Sequence, residues 1–150
     1  MDKICVTYTH HKLGDLIWQL PYIKAISEHH RLPIDLIVRE KTQAKNILLD
    51  LEYIENIYYN NYRKGFSYWI DVFKLSINFF KNKYNYLYML DKVNKPGIAA
   101  KITGVKHVIG PGFGNQKKWV TNKKILDPND YKLSYSEQSQ KLLEINSIPV

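Results

Sequence analysis

Short apolar runs rich in β-branched residues alternate along the chain with segments of helical period. The short runs predict five strands, which cover Lys3–Thr9, Ile34–Val38, Ile54–Tyr59, Tyr86–Leu90 and Lys106–Ile109. Such an alternation is typical of a mostly parallel sheet with helices on both faces. The pattern therefore predicts an α/β domain of three layers, αβα, whose working surface lies beyond the carboxyl ends of the strands.

The intervening segments predict helices over Asp15–His29, Gln43–Leu49, Tyr68–Lys81, Pro96–Thr103 and Ser136–Ile145. The third of these helices has an apolar stripe and a polar opposite face. The stripe consists of Trp69, Phe73, Ile77 and Phe80, and the polar set consists of Asp71, Lys74, Asn78 and Lys81. We expect the stripe to be buried and the polar set to face solvent.

Pro21 conflicts with one continuous helix over Asp15–His29, because its missing amide removes the hydrogen bond to the carbonyl of Ile17. Either the helix kinks at Pro21, or an irregular turn covers residues 15–20 and the regular helix begins near Pro21. Both alternatives leave Asp15 beside the carboxyl end of the first strand.

Length and composition fit one globular domain over residues 1–150, since 45% of the residues are hydrophobic and only 24% are charged. The single cysteine, Cys5, excludes an internal disulfide and a cysteine-based zinc site, and its apolar neighbours indicate a core position. No stretch reaches the roughly 18 apolar residues of a membrane span, and the start lacks the apolar core of a signal peptide. We therefore expect a cytoplasmic protein.

Positive charge is concentrated in the middle of the chain. Residues 60–125 hold 13 Lys/Arg and only two acidic residues, Asp71 and Asp91, for a net charge of +11 within a total of +8. This imbalance favours an anionic partner such as phosphate, nucleic acid or an acidic membrane surface. The alternative is a solvated lysine-rich face with no specific partner.

The connection between the first strand and the first helix, Thr9–Asp15, holds the candidate chemistry. Gly14 permits a sharp turn or the close approach of a ligand. Asp15 lies where helix amides and the helix dipole favour an ionised carboxylate, which can accept a proton from a bound hydroxyl. The alternative is structural, with Asp15 as the helix N-cap.

The sequence around this segment and beyond it resembles the N-terminal domain of glycosyltransferase family 9, the ADP-heptose:lipopolysaccharide heptosyltransferases and their relatives. The likeness rests on a strand followed by Leu13-Gly14-Asp15, Leu20-Pro21 and a second strand at Ile34–Val38. It continues in Tyr53–Ile57, Tyr86–Asp91 and Ala99–Gly110, and so covers nearly the whole chain.

The resemblance implies the Rossmann-like N-terminal half of a GT-B glycosyltransferase, a bacterial enzyme of lipopolysaccharide and cell-envelope biosynthesis. This half would bind the acceptor, while a nucleotide-sugar donor resembling ADP-heptose would bind mainly to a C-terminal domain outside this chain. The implied reaction is inverting transfer of a sugar such as heptose, with no required cofactor or metal. Asp15, at the family's Gly-Asp position, is the implied general base.

The implied acceptor is an anionic glycolipid, reached by peripheral contact with the inner face of the membrane. The residues expected to bind it are Gly14, His10, His11, Lys12 and Lys95, the two lysines on the basis of charge and loop position. Two departures from the family pattern allow a different acceptor. The loop has histidines and a lysine where the family has serines, and Asp91–Gly97 lacks the family's Gln-Gly pair.

Three further features have structural alternatives. The pairs His10-His11 and His29-His30 lack a third metal ligand, and adjacent side chains diverge on a strand or a helix, so we expect solvated or capping histidines. Gly110–Gly114 lacks the spacing of a phosphate-binding loop. We expect an ordinary turn there, or a mobile loop that contacts an anionic acceptor through Lys117 and Lys118.

Residues 53–88 contain 13 of the 20 aromatic residues, mixed with basic ones. Tyr62, Phe66 and Tyr68 are candidates for a lipid headgroup boundary. The same mixture suits single-stranded nucleic acid, but no nucleic-acid motif is present and we do not favour that partner. The second hypothesis is therefore a non-catalytic Rossmann-like module that binds an anionic membrane surface or nucleic acid.

Overall fold

Five parallel strands form one sheet in the order β3-β2-β1-β4-β5, in a computed structural model that describes residues 1–150. The strands are β1 (Ile4–Thr7), β2 (Ile34–Val38), β3 (Ile54–Tyr59), β4 (Tyr86–Met89) and β5 (His107–Ile109). The predicted α/β class and the parallel sheet are confirmed, and the predicted bounds of β2 and β3 are those observed.

Helices cover both faces of the sheet. They are α1 (Leu13–Ile17), α2 (Leu20–His30), α3 (Ala44–Leu48), α4 (Phe66–Asn82), α5 (Lys95–Thr103) and α6 (Tyr135–Ile145). One core cluster joins the sheet to α2 and α6 through residues such as Val6, Ile23 and Leu142. A second cluster joins the opposite face to α4 and α5 through residues such as Leu75 and Ala99. Alternate residues of β1 supply the two clusters, which explains why its short apolar run is buried on both faces.

The strand order changes direction between β1 and β4. From β1 the chain proceeds outward through β2 to β3, and it then returns through α4 to place β4 on the other side of β1. The connections that follow the carboxyl ends of β1 and β4 leave the sheet toward opposite faces. Doubly wound sheets bind ligands in the crevice between two such connections. Because the strands are parallel, α4 begins near this carboxyl edge and ends near the amino edge.

Pro21 separates two helices. α1 ends at Ile17, and α2 begins at Leu20 with Pro21 in its first turn, where a missing amide breaks no helical hydrogen bond. The second of the two alternatives for this segment is therefore close to the observed structure. The short α1 directs the chain across the end of β1 before α2 returns along the sheet.

The predicted orientation of α4 is wrong. Val72, Leu75 and Phe79 are buried, and so is Asp71, whereas the stripe that contains Trp69 and its neighbours is exposed. Asp71 is accommodated in the interior because Arg63 and Lys95 both bind its carboxylate. The helical periodicity of the sequence could not decide which side of α4 faces the core. The helix has two apolar stripes, and the one with the larger side chains faces outward.

The close approach of Trp119 to α5 requires a glycine at position 97. A methyl group at this position would lie 2.6 Å from Cβ of Trp119, well inside normal contact. We expect Gly97→Ala to lower the free energy of unfolding by about 1–3 kcal/mol, measured by urea denaturation. Gly14→Ala is the matched control, because a methyl group at position 14 meets no atom within 4 Å. An unchanged stability in Gly97→Ala would contradict the packing described here.

Candidate active site

Asp15 lies in α1, just beyond the carboxyl end of β1. Its side chain is 44% exposed, so at least one carboxylate oxygen is open to a ligand. The N-cap of α1 is Lys12, and Asp15 is already inside the first turn of the helix. The alternative in which Asp15 serves as the N-cap is therefore wrong, and no backbone amide occupies its carboxylate as a cap would require.

A cavity of about 420 Å³ adjoins the Asp15 carboxylate. Two distant segments of the chain form it, and its lining residues are Tyr8, Asp15, Trp18, Gln19, Ser134, Tyr135 and Ser136. Ser134 caps α6 and binds the backbone amide of Glu137, while the Glu137 carboxylate accepts from the Ser134 amide. This capping box fixes the start of α6 and thereby places Tyr135 opposite Asp15.

His10 is held beside Asp15 by aromatic contacts. Its ring stacks on Tyr8 with centroids 5.2 Å apart and meets Tyr135 edge-on at 4.1 Å. Nδ1 of His10 lies 3.8 Å from Oδ2 of Asp15, which is too long for a hydrogen bond. The imidazole is therefore close enough to interact electrostatically with the carboxylate, yet it leaves the oxygen free to accept a proton from another group.

Two buried polar groups next to the cavity have no hydrogen-bond partner, the hydroxyl of Tyr8 and the amide nitrogen of Gln19. The amide oxygen of Gln19 is engaged, because Ser139 of α6 donates to it at 2.6 Å. Unpaired buried polar groups are costly and are usually satisfied in a folded protein. Both atoms are shielded from solvent and the Tyr8 hydroxyl faces the Gln19 side chain, so the two groups form the closed wall of the cavity rather than its accessible surface.

Asp91, directly after β4, holds the loop that carries these residues. Its Oδ2 accepts hydrogen bonds from the backbone amide and the hydroxyl of Thr9, which follows β1. The other oxygen of Asp91 is buried without a partner. Burial raises the pKa of Asp91, and the bonds from Thr9 oppose that increase only in part. The two strand ends at the switch point are thus tied together beneath the candidate site.

Gly14, His11 and Lys12 are exposed and lie on the same short segment as Asp15. Gly14 does not have a positive φ, so the sharp turn considered for it from the sequence is not observed. The open space at its α-carbon is compatible with the close approach of a ligand. His10 lies beside Asp15, whereas His11, Lys12 and Gly14 are its neighbours in sequence and do not line the cavity, and the roles of all four in acceptor binding stay predictions.

Lys95 lies away from these residues, and the prediction that it binds the acceptor is wrong. Its side chain is 4% exposed, and its ammonium donates to the carbonyls of Asn61 and Arg63 and to the carboxylate of Asp71. All three donor positions of the ammonium are therefore used inside the protein. Burial lowers the pKa of Lys95, although the bond to Asp71 favours its charged form. Lys95 anchors α5 to α4 and to the loop before it.

The Gly110–Gly114 segment is a tied turn rather than a free loop. The buried amide of Gln116 accepts from the backbone of Gly112 and donates to the carbonyls of Asp91 and Val93. Leu126 also donates from its backbone to the carbonyl of Pro111. These bonds hold the segment against the end of β4. The segment is therefore anchored as the ordinary-turn alternative expects, and contact of Lys117 and Lys118 with an anionic acceptor stays a prediction.

A second cavity, of about 600 Å³, lies at the carboxyl ends of β2 and β3. It is mostly polar and is lined by Glu40, Lys41, Gln43, Lys45, Asn46, Tyr59 and Asn61. It belongs to the same edge of the sheet as Asp15 but to different loops. No three His, Cys, Asp or Glu side chains come together as a set of metal ligands.

Sequence patterns missed several residues of the site. Trp18 and Gln19 lie in the turn around Pro21, where the sequence allowed two conformations. Ser134–Ser136 lie about 120 residues after Asp15, and no short-range pattern connects the two segments. The one available signal was the spacing of Ser134 and Glu137, which marks a capping box and would have moved the predicted start of α6 by one residue.

Fold and site together define a doubly wound α/β domain with a carboxylate-bearing cavity at its switch point. Solved structures that share this fold include two glycosyltransferases. One is a glycosyl transferase family 9 protein from Veillonella parvula DSM 2008, with a TM-score of 0.77 and 17% identity over 99% of this chain and 42% of that one. The other is ADP-heptose LPS heptosyltransferase II from E. coli, with a TM-score of 0.68 and 14% identity over 91% of this chain and 40% of that one.

The resemblance to glycosyltransferase family 9 that the motifs indicated is thus confirmed as a similarity of fold. This chain spans about two fifths of the length of each of the two structures. No protein-family model matches the chain, and no curated protein sequence matches it significantly. The chain has the fold found in these glycosyltransferases, a Rossmann-like α/β domain.

Proposed function

We propose that this chain is the acceptor-binding half of a glycosyltransferase of the heptosyltransferase type. The reaction would transfer a sugar from a nucleotide-sugar donor to lipopolysaccharide or another surface glycan. The observation that carries the proposal is the open carboxylate of Asp15 at the mouth of a cavity at the switch point of the sheet. The fold shared with two glycosyltransferases supports it.

In this proposal Asp15 is the general base. Its free carboxylate oxygen would take the proton of an acceptor hydroxyl as that oxygen bonds to the anomeric carbon of the donor sugar. The bond between that carbon and the diphosphate would break in the same displacement, which inverts the anomeric configuration. Tyr135, which is exposed in the cavity wall, would orient the acceptor, and His11 and Lys12 would meet its anionic groups. The donor nucleotide would bind mainly to a second domain.

The proposal is tested by the release of nucleoside diphosphate when the transferase that contains this domain is incubated with a nucleotide sugar and candidate glycan acceptors. We expect release that depends on the acceptor, with inversion at the anomeric carbon of the transferred sugar. Acceptor-independent release, or retention of configuration, would contradict the single-displacement mechanism with Asp15 as base.

A further prediction concerns Gly14. Because a methyl group fits there in the folded protein and alanine favours helix, Gly14→Ala should leave the protein as stable or raise its stability by about 0.5–1 kcal/mol. If the acceptor lies against Gly14, the same change should raise KM for the acceptor about tenfold, the effect of a loss near 1.4 kcal/mol in binding. Steady-state kinetics and urea denaturation check the two parts, and an unchanged KM would remove Gly14 from the acceptor site.

The second candidate function is a non-catalytic module for an anionic partner. The net charge of +11 over residues 60–125 favours it. It leaves the cavity at Asp15 without a role. Acceptor-dependent diphosphate release distinguishes the two, since a pure binding module would give none.

A further inference from the structure

The outer surface of α4 is an exposed stripe of large apolar side chains. The stripe consists of Phe66, Trp69, Ile70, Phe73, Ile77 and Phe80, whose side chains are between 39% and 84% exposed. These spacings of three and four residues place all six on one side of the helix. The helix therefore has two apolar sides, one that packs in the core and one that no part of the described chain covers.

The stripe is long enough and bulky enough to act as a unit. α4 has 17 residues, which corresponds to about 25 Å of helix, and the stripe runs through nearly all of it. Scattered single apolar residues are normal on protein surfaces, but a continuous row of three phenylalanines, a tryptophan and two isoleucines is not. None of the helices has both the length and the apolar character that a membrane crossing needs.

Charge identifies the kind of surface that fits this stripe. The only carboxylates within residues 60–125, those of Asp71 and Asp91, are both buried, whereas 12 of the 13 cationic side chains in that region are exposed. Lys74 and Lys81 lie on α4 itself, on the side of the helix next to the stripe. The segment that contains the stripe therefore presents exposed cationic side chains and no exposed carboxylate of its own.

We propose that α4 docks this domain on an anionic lipid bilayer, with the stripe at the boundary of headgroups and acyl chains and the lysines against lipid phosphates. A helix with aromatic residues on one side and lysines beside them is suited to that boundary. A second copy of this chain is a poor occupant, because two surfaces of the same strong positive charge repel each other. The inference deepens the proposed function by assigning the surface at which a lipid-linked acceptor is met, but its test involves no sugar transfer.

The stripe and the candidate active site lie toward the same edge of the sheet but in opposite layers, because α4 packs in the second core cluster and the cavity adjoins the first. The helix begins near the carboxyl edge of the sheet, so Phe66 and Trp69 lie toward the same edge as Asp15. A bilayer along α4 would therefore bring lipid headgroups toward that edge of the sheet, and an acceptor would have to extend across the edge to reach the cavity.

The test is co-sedimentation of the 150-residue chain with vesicles of phosphatidylcholine containing about 30% phosphatidylglycerol. We expect binding that weakens at least tenfold in the double variant Phe73→Ser/Phe80→Ser. The matched control is Ile47→Ser/Leu49→Ser, which removes two similarly exposed apolar side chains at α3 in the opposite layer. The control variant should bind these vesicles as tightly as the unchanged chain does. The unchanged chain should bind vesicles of pure phosphatidylcholine at least tenfold more weakly.

Three results would overturn the inference. They are equal loss of binding in both double variants, equal binding to charged and uncharged vesicles, and a dimer in solution that the Phe73→Ser/Phe80→Ser change dissociates. Circular dichroism of each variant establishes that it is folded before binding is compared. Since the assay contains no donor or acceptor sugar, its failure leaves the transferase proposal untouched, and failure of the transfer assay leaves this inference untouched.

Discussion

Replacing Asp15 by asparagine should lower the turnover of the proposed transferase by about 10²–10⁴-fold, the range that a general base contributes. Asparagine has nearly the same shape as aspartate and keeps a hydrogen-bond acceptor, but it cannot take the proton of the acceptor hydroxyl. The carboxylate is half exposed and caps no helix, so the fold should change little. Diphosphate release under saturating donor and acceptor measures the effect.

The matched control for this prediction is Asp50→Asn, which neutralises an exposed carboxylate outside the cavity. Its turnover should equal that of the unchanged enzyme. The KM for the acceptor should change much less than the turnover number in Asp15→Asn, because the base acts in the transition state. Near-normal turnover of a folded Asp15→Asn enzyme would refute the assignment of Asp15 as base.

Replacing Asp71 by alanine should destabilise the domain by about 3–5 kcal/mol. The change removes the carboxylate that binds both Arg63 and Lys95, and it leaves the ammonium of Lys95 buried with only two carbonyl partners. Urea denaturation at neutral pH measures the loss. Glu28→Ala is the control, since it breaks only the exposed pair with Lys24 and should cost about 0.5 kcal/mol or less.

The effect of Asp71→Ala should depend on pH. Burial alone would raise the pKa of Asp71, but the bonds from Arg63 and Lys95 outweigh it and lower the pKa below its ordinary value of 3.8. The stabilisation is then fully present above the pKa of Asp71 in the unfolded chain, near 4. It is lost as the pH falls through the lower pKa of Asp71 in the folded protein. The two proteins should therefore converge in stability below about pH 4, and a constant difference down to pH 2 would contradict the ion pair as its cause.

Most of the fold was predictable because its inner strands are buried on both sides. A strand such as Ile34–Val38, buried along its whole length, is almost entirely apolar, with Asp35 accommodated by hydrogen bonds from Asn56 and Tyr84, and such runs stand out between polar segments. Pro96 and Gly104 similarly marked the two ends of α5. The order of these elements then left few alternatives to a parallel sheet.

The orientation of α4 was not predictable in the same way. A helical period identifies apolar stripes but not which of them meets the core, and here the buried one contains Asp71. That carboxylate is tolerated inside only because Arg63 and Lys95, from other segments, neutralise it. Lys95 was mistaken for a ligand-binding residue for the same reason, since its partner could not be identified from spacing.

The candidate site was predictable only where one short segment forms it. The loop from His10 to Asp15 could be recognised because a strand end is followed within a few residues by the adjacent pair Gly14 and Asp15. Tyr135 enters the site through the packing of α6 against α2, which is a tertiary contact between segments far apart in sequence. Such contacts depend on how layers assemble, and local period carries no information on them.

The most direct measurement is a nuclear magnetic resonance titration of the isotopically labelled 150-residue chain with phosphorylated sugar fragments of candidate acceptors. If the cavity at the switch point binds the acceptor, the amide signals of Gly14, Asp15 and Tyr135 should shift together with one saturable binding curve. Shifts confined to the other cavity, at Lys41 and Lys45, or the absence of any saturable shift, would contradict the account.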